Sequence, residues 1–575
     1  MCNCSTKSIV QFLNQFSIKN YFSTMTFPIR IHSIPQAPNE KPNYLFSIHG
    51  GLTVLLGPNG SGKTQLMRSA KLILDRLLRQ QSYDDGTPIN KKVRFISAGR
   101  IGMLEQYRSA YNGNHGSPRY EEATYGSHQD RKRRHNFETL QGDFLSLSQR
   151  PDIQIKIRER LKKLFKRDII IDWDAGNLKI SFSRTGTNFT SYSSAREASG
   201  LIHLVGLLTA LYDDEVGILL IDEPEVSLHP QLQAFLLDEM VSVAGYPNKT
   251  GYEKIILIST HATEFIRLET PNHLTHLIFC QEYGDVPVQV QPEAGELHSR
   301  KVRELVSRMG QEHKLSLFAR SPLLVEGPSD AIICGAIASK LSIQLEAGGS
   351  QILPVIGKGE FPSVLKLFRL MGKTPLVLAD CDALADGTDL ANSFLESDEG
   401  LNLVNKLGFS SGPDMSRKVY KDFCDIVSNS WSEIAPIAEE HHYFAMNKTE
   451  EDETDKRKKR AAMVALLSNP TELLQSLENG HKWVELKSRL EALLGVLQQL
   501  GCFILSKGTI EDYYANTDYS KFASKPDAAV SEAIRIHNDS VNQVEDQFEG
   551  IAKCLRNAST AERLNEGELL LDLLL

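Results

Sequence analysis

Three groups of residues in this 575-residue chain have the types and spacing for phosphate or metal chemistry. The first is Gly57-Pro58-Asn59-Gly60-Ser61-Gly62-Lys63-Thr64. Its glycines let consecutive backbone N–H groups turn toward one anion, so Asn59, Gly60, Ser61 and Gly62 form a cradle. Lys63 then reaches the β- and γ-phosphates of a nucleoside triphosphate, and the Thr64 hydroxyl is a Mg²⁺ ligand. The second group is Asp222-Glu223 with Thr260-His261, each pair ending an apolar run. Beside such a loop the first acid holds the Mg²⁺ shell and the second polarises an attacking water, while the histidine touches the γ-phosphate and that water. The third is Glu326 in Leu324-Val325-Glu326-Gly327, followed by Asp380-Cys381-Asp382. Carboxylates gathered at one point repel each other, and a divalent metal with oxygen ligands relieves the repulsion. Asp330 is a weaker candidate ligand, because at the start of a helix it could equally be an N-cap.

These groups act only if buried elements hold them. Residues 52–56 form an apolar strand entering the glycine loop, and Leu66, Ala70, Ile73 and Leu77, widened by Met67, Leu74 and Leu78, recur at helical spacing after it. The loop therefore opens a helix N-terminus, where free N–H groups and the helix dipole favour an anion. Short strands are expected at 27–34 and 44–48, and another at 93–97, ending in Ala98-Gly99-Arg100. The acidic pair closes 217–221 and the histidine follows 255–259, as buried parallel strands present polar groups at their C-terminal edge. Strands at 321–325, 352–356 and 375–379 alternate with helices at 331–341 and 364–371, so a parallel sheet should gather Glu326, Asp380 and Asp382 at one edge.

Other stretches carry less information. Residues 107–150 are rich in Gly, Ser, Tyr, His and charge and include Arg131-Lys132-Arg133-Arg134-His135, read as a mobile solvated arm or a contact surface for phosphate backbones. A basic amphipathic helix at 153–165 and strands at 169–173 and 178–182 follow. The strands 277–280 and 286–290, the second weakened by Pro287, and a connecting helix at 301–309 lead out of the first domain. Residues 389–500 read as mostly helical, with Lys456-Arg457-Lys458-Lys459-Arg460 as a solvated face or, alternatively, a basic lip beside a nucleic-acid channel. One more strand is expected at 502–505, and the rest is helical, ending in the apolar stretch 569–575.

The chain is too long for one core and suggests about two to four domains. With 41% hydrophobic and 24% charged residues it has the composition of a soluble globular protein. A formal net charge of −8 gives no global reason to bind nucleic acid, so any such site must be a local basic patch. No apolar run approaches the roughly eighteen residues of a membrane span, and residues 1–24 lack the marks of a secretory signal, which leaves an extension or a start at Met25. Eight scattered cysteines read as reduced thiols, so a cytoplasmic location is expected.

The order of glycine loop, Asp222-Glu223 and Thr260-His261 resembles the ATP-binding cassette superfamily in its SMC/Rad50-like and OLD-like branch. That resemblance implies an ATP-dependent dimer in which a signature segment contacts the nucleotide of the opposite subunit. Ala198-Ser199-Gly200-Leu201-Ile202 occupies the corresponding place; it departs from the usual Ser-Gly-Gly-Gln but keeps Ser199 and Gly200. The glutamine that couples nucleotide to the inserted arm has two candidates, Gln106 and Gln141. The block from Leu324-Val325-Glu326-Gly327 to Asp380-Cys381-Asp382 resembles the Toprim domain of topoisomerases, primases and OLD-family nucleases. In the last of these a Lys-Gly-x-x-Glu element completes the site, and Lys507 and Glu511 match it.

From about residue 25 to 520 the chain thus resembles the OLD (overcoming lysogenization defect) family. The resemblance implies an α/β protein: an ABC-type P-loop ATPase domain at 25–315 with an inserted arm at 101–168, then a parallel-sheet Toprim domain at 316–520 with a helical insertion at 390–500 and a helical C-terminal segment at 521–575. The implied activity is that of an ATP-regulated, metal-dependent DNA endonuclease. Asp380 and Asp382 would ligate one Mg²⁺ or Mn²⁺ ion, Glu326 would bridge toward a second about 4 Å away, and Glu511 would add a ligand, while Lys507 would place a fixed positive charge beside the scissile phosphate. Implied partners are DNA, further copies of the chain through the ATPase domains as a dimer or tetramer, and, in anti-phage defence, a helicase or a retron reverse transcriptase with its nucleic acid. The alternative is an SMC/Rad50-like DNA-binding ATPase clamp with a non-catalytic Toprim scaffold. A primase or topoisomerase has no support in the absence of a zinc-ribbon cysteine pattern or a nucleophilic-tyrosine domain.

Overall fold

The computed structural model describes residues 27–32, 43–81, 86–100, 125–184, 191–249, 251–281, 285–355, 357–406, 408–445, 451–515 and 524–560. Gln106 with all of 101–124, Met25 and the apolar end at 569–575 lie outside the described residues. The chain divides into two compact units, Met1–Pro292 and Glu293–Leu575.

In the first unit β1 (Ile29–His32) and β2 (Tyr44–Ile48) form an antiparallel pair that leads into β3 (Leu52–Leu56). Beyond Leu52 every residue of β3 is buried, so both faces of this strand need cover. Helix α1 (Lys63–Gln80) supplies part of it: Met67, Ala70, Leu74 and Leu77 pack with Leu55, Phe95, Ile218, Leu220 and Leu257 in one core. Each such side chain gains about 2 kcal/mol by burial, which fastens the glycine loop to rigid elements at both ends. With β4 (Lys92–Ile96), β8 (Val216–Asp222), β9 (Ile255–Thr260), β10 (Leu277–Phe279) and β11 (Val288–Gln289), the sheet runs β11-β10-β3-β9-β8-β4. All of its pairs are parallel except β10 with β11. Strand β9 therefore lies between the loop strand β3 and the acidic strand β8.

Helices α2 (Gln141–Gln149) and α3 (Pro151–Phe165) and the antiparallel β5 (Arg167–Asp174), β6 (Asn177–Arg184) and β7 (Tyr192–Ser193) separate β4 from α4 (Ser199–Tyr212). The basic run is not a solvated arm where it is described. His128–Asn136 forms 3₁₀ turns; Arg134 pairs with Glu215, His135 Nε2 lies 3.0 Å from Asp213, and the Arg131 guanidinium sits 4.3 Å from the Trp173 ring centroid. The carboxylates that hold this run stand near the turn between α4 and β8, far from it in sequence.

The second unit is built on β12 (Leu323–Val325), β13 (Ile352–Pro354), β14 (Leu376–Ala379) and β15 (Cys502–Ile504), ordered β13-β12-β14-β15 and parallel throughout. Helix α5 (Pro328–Lys340) follows β12, and α6 (Phe361–Leu370) follows β13. Between β14 and β15 stand several helices, among them α7 (Gly412–Asn429), α8 (Glu451–Ser468) and α9 (Gly480–Gln499). Trp483 of α9 is fully buried there and donates through Nε1 to Glu433 at 3.0 Å. The charged stretch 456–460 is part of α8, where Arg460 pairs with Asp386 at 2.6 Å and Lys459 with Asp455 at 2.7 Å. After β15, α10 (Lys525–Asn538) and α11 (Glu549–Ser559) return to the sheet: Ile536, Ile551 and Leu555 share a core with Val325, Leu378 and Phe503.

Candidate functional site

In the first unit the glycine loop connects β3 to α1. Gly60 and Gly62 have φ of 81° and 83°, a left-handed conformation that residues with side chains rarely adopt. Gly57 has a different reason: a Cβ there would come within 2.3 Å of the Cys280 carbonyl oxygen. The buried Lys63 ammonium donates to the carbonyl oxygens of Gly57 and Pro58, both at 2.9 Å, so it stands inside the loop. Burial lowers its pKa, and the nearby carboxylates Glu223, Asp222 and Glu225 act in the opposite direction. The Thr64 hydroxyl donates to Asp222 Oδ2 at 2.8 Å, and Ser259 donates to Oδ1 of the same carboxylate. A hydroxyl and a carboxylate form a hard oxygen donor set that suits Mg²⁺, so these residues fit the expected cation.

Glu223 takes φ of 50°, a strained value for a residue with a side chain, while its N–H donates to the Ser259 carbonyl at 3.0 Å. Its Oε1 lies 3.6 Å from His261 Nε2, so the carboxylate and the imidazole face the same space. Burial, and then the Lys63 charge, lower the His261 pKa, which favours the neutral imidazole. The His261 backbone N–H donates to Glu225 at 2.6 Å, and Thr260 Oγ1 donates to the same carboxylate at 2.9 Å. The buried Arg100 donates to the carbonyls of Asp222 at 3.0 Å, Glu223 at 2.9 Å and Pro224 at 3.1 Å, and through Nε to His203 Nδ1 at 3.1 Å. These supports, Arg100, Glu225 and Ser259, are functional residues that sequence reasoning left without a role. Their only trace in the sequence is adjacency to strand ends. Ser199 and Gly200 open α4, and a Cβ on Gly200 would meet the Ser227 carbonyl oxygen at 2.5 Å. Gln141 begins α2, beside Gly126.

In the second unit the strand register explains the cluster. Val325 lies opposite Leu378, so Glu326 and Asp380 leave adjacent strands at the same C-terminal edge. One ligand atom from each of Glu326, Asp380 and Asp382 lies within 4.8 Å of the others. Burial, followed by the charges of Asp382 and Asp330, pushes the Glu326 carboxyl up to about 7. Burial, and then Asp330 and Glu326, raise Asp380 well above the carboxylate range. Glu326 Oε2 and Asp382 Oδ1 are buried with no hydrogen-bond partner. Unpartnered oxygens and carboxyls that resist ionisation side by side are what a divalent cation would resolve, so the residues fit Mg²⁺ or Mn²⁺.

Asp330 accepts from the Gly327 N–H at 2.8 Å and so caps α5, facing the cluster closely enough for burial and Glu511 to raise its carboxyl to about 6. Glu511 is buried, with Lys525 at 3.1 Å. Lys507 follows β15, and its Nζ lies 4.8 Å from the Tyr513 ring centroid. The adjacent Gly508 carbonyl accepts from the N–H of Cys381, the residue between the two aspartates, at 2.8 Å, so this turn is tied to the Asp-x-Asp segment. Two cations were not anticipated. Lys358 places Nζ 2.6 Å from both Asp382 and Asp386, and Arg460 reinforces Asp386. Lys525 stands against Glu511. Lys358 lies in Gly357-Lys358-Gly359, which is legible in the sequence as the end of the 352–356 strand but without a role, whereas nothing local in the sequence marks Lys525.

A nucleotide-binding loop with its acidic and histidine strand ends, followed by a parallel sheet with three carboxylates at its edge, defines a P-loop ATPase domain joined to a Toprim domain. Comparisons with known proteins agree. Residues 91–267 match the family described as "AAA domain, putative AbiEii toxin, Type IV TA system", and residues 317–382 match "Overcoming lysogenization defect protein-like, TOPRIM domain". The chain is 27% identical over 177 residues to Endonuclease GajA of Bacillus cereus (strain VD045), covering 30% of this chain and 27% of that protein. It is 26% identical over 275 residues to Old nuclease of Escherichia phage P2, covering 45% of this chain and 44% of that protein. The chain thus spans less than half the length of either curated relative in these matches. These matches make the chain similar to the ATPase–Toprim nucleases of the OLD family.

Proposed function

We propose that this protein is an ATP-regulated, metal-dependent DNA endonuclease, acting in antiviral defence as the family resemblance implies. The observation that carries the reading is the convergence of Glu326, Asp380 and Asp382 at one sheet edge, two of their oxygens without partners, beside the turn that bears Lys507. Divalent cations held there would lower the pKa of a water and stabilise a leaving oxygen of a phosphodiester. The chain's own part is positional. Asp380 and Asp382 fix one cation position, Glu326 reaches from the neighbouring strand toward another, and Glu511 adds a carboxylate. Lys507 contributes a fixed positive charge for the transition state. Lys358 holds Asp382 in place and offsets its charge.

In the ATPase domain Lys63 and the loop N–H groups bind the phosphates, Thr64 and Asp222 hold Mg²⁺, and Glu223 with the neutral His261 orients and deprotonates the attacking water. Ser199 and Gly200 complete the nucleotide site of a second copy, so ATP binding controls association and access to DNA.

The test is cleavage of plasmid, linear and single-stranded DNA by the full chain. Cutting is expected with Mg²⁺ or Mn²⁺ and is expected to stop in chelator. Undiminished cutting in chelator would overturn the proposal.

A further inference from the structure

A second cluster of metal-ligand side chains lies outside the carboxylate site. His441 and His442 come from the helical insertion, just before and within the one-turn helix His442–Ala445, and Asp512 comes from the 3₁₀ turn Ile510–Tyr513 that follows β15. His442 Nδ1 lies 3.1 Å from Asp512 Oδ1, and His441 Nε2 lies 3.5 Å from Oδ2 of the same carboxylate and 3.1 Å from the Lys507 carbonyl oxygen. The three side chains each offer one ligand atom within 4.8 Å of the others.

These separations have a geometric meaning. Metal–nitrogen bonds of 2.0–2.1 Å in a tetrahedral shell put neighbouring ligand atoms about 3.4 Å apart. The two nitrogen–carboxylate separations, 3.1 and 3.5 Å, and the 3.1 Å from His441 Nε2 to the Lys507 carbonyl oxygen are close to that. The backbone leaves room for the approach: Gly508 has φ of 123°, and a Cβ on it would lie 2.4 Å from Asp512 Oδ2 and 2.8 Å from His441 Nε2.

We propose that His441, His442, Asp512 and the Lys507 carbonyl oxygen form a transition-metal site, separate from the carboxylate cluster, that fastens the helical insertion to the turn carrying Lys507. Its chemistry differs from that of the all-oxygen cluster: two imidazoles and a carboxylate favour Zn²⁺, and also Co²⁺ or Ni²⁺, over Mg²⁺. The ion is structural. It ligates the carbonyl of Lys507, not its side chain, and so sets the position from which that ammonium acts.

Metal content decides the question without DNA, so the outcome stands apart from the nuclease proposal. The full chain is stripped with chelator and dialysed against Zn²⁺ in excess Mg²⁺, and bound zinc is measured by mass spectrometry. One equivalent is expected in the parent and in Asp380→Ala, which disables the other cluster. In the His441→Gln/His442→Gln double variant zinc affinity should fall at least about tenfold. X-ray absorption at the zinc edge of the Asp380→Ala protein should show imidazole scattering, and this arm stands even where the double variant does not fold. Absence of bound zinc in Asp380→Ala, an all-oxygen shell, or undiminished zinc binding by a folded double variant overturns the proposal.

Discussion

At the scale of single residues the ATPase site makes the sharpest separation of roles. A charge-assisted hydrogen bond is worth about 1.5–3 kcal/mol, so Lys63→Ala should weaken ATP binding about 10- to 100-fold. Glu223→Gln removes the proposed general base and should bind ATP while turnover falls about 100-fold or more. Equilibrium binding and steady-state hydrolysis check both, and tight ATP binding by Lys63→Ala would mean that the loop is misassigned. The carboxylate site predicts a pH dependence. Glu326 is raised from 4.5 to about 7 and Asp330 from 3.8 to about 6. Between the unfolded and folded values the folded chain binds more protons, so their contribution is fully present below about pH 4 and is lost as pH rises through 7. Adding Mg²⁺ should therefore raise the melting temperature of the full chain more at pH 8 than at pH 5, and this difference should shrink in Glu326→Gln. An equal Mg²⁺ shift at both pH values would contradict the site. Sequence identified Glu326, Asp380 and Asp382 because each ends an apolar strand. It gave no role to Lys358 or Lys525 and took Arg460 only as part of a solvated face or basic lip, because periodicity carries no record of ion pairs with carboxylates elsewhere in the chain.

At the scale of elements, the strands were legible because buried parallel strands are apolar without interruption: the expected 52–56 is β3, and 217–221 lies within β8. The insertion before β15 was legible only as helical. Which helix meets which depends on contacts such as Trp483 with Glu433, set by three-dimensional packing. The basic run 131–135 is partly held for the same reason, since Glu215 and Asp213 meet Arg134 and His135 from a distant turn. The turn after β15 is the element on which the nuclease proposal is most exposed. Gly508 has φ of 123°, and its carbonyl is bound by Cys381. A Cβ there would lie 2.4 Å from Asp512. Gly508→Ala should therefore displace Lys507 and reduce DNA cleavage about 100-fold or more, the scale of losing one preorganised charge, with ATP hydrolysis unchanged. Parental cleavage by this variant would show that the turn does not position the reacting groups.

At the scale of the whole molecule, the order of an ATPase domain and a Toprim domain was legible because each carries a motif that spans a strand and the loop after it. Assembly was not, because the role proposed for Ser199 and Gly200 needs a second copy that a single chain does not contain. Hydrolysis completed between copies predicts an ATPase rate per chain that falls on dilution, in step with dissociation seen by light scattering. A monomer with full activity at every dilution would contradict it. The carboxylate cluster itself contains no nucleotide ligand, so the two activities should separate by mutation. The most direct test is the Asp380→Ala protein, assayed side by side with the parent for Mg²⁺-dependent DNA cleavage and for ATP hydrolysis. Loss of cleavage with ATP hydrolysis nearly intact is the predicted result; cleavage at the parental rate would contradict the nuclease assignment and leave an ATPase clamp with a Toprim scaffold.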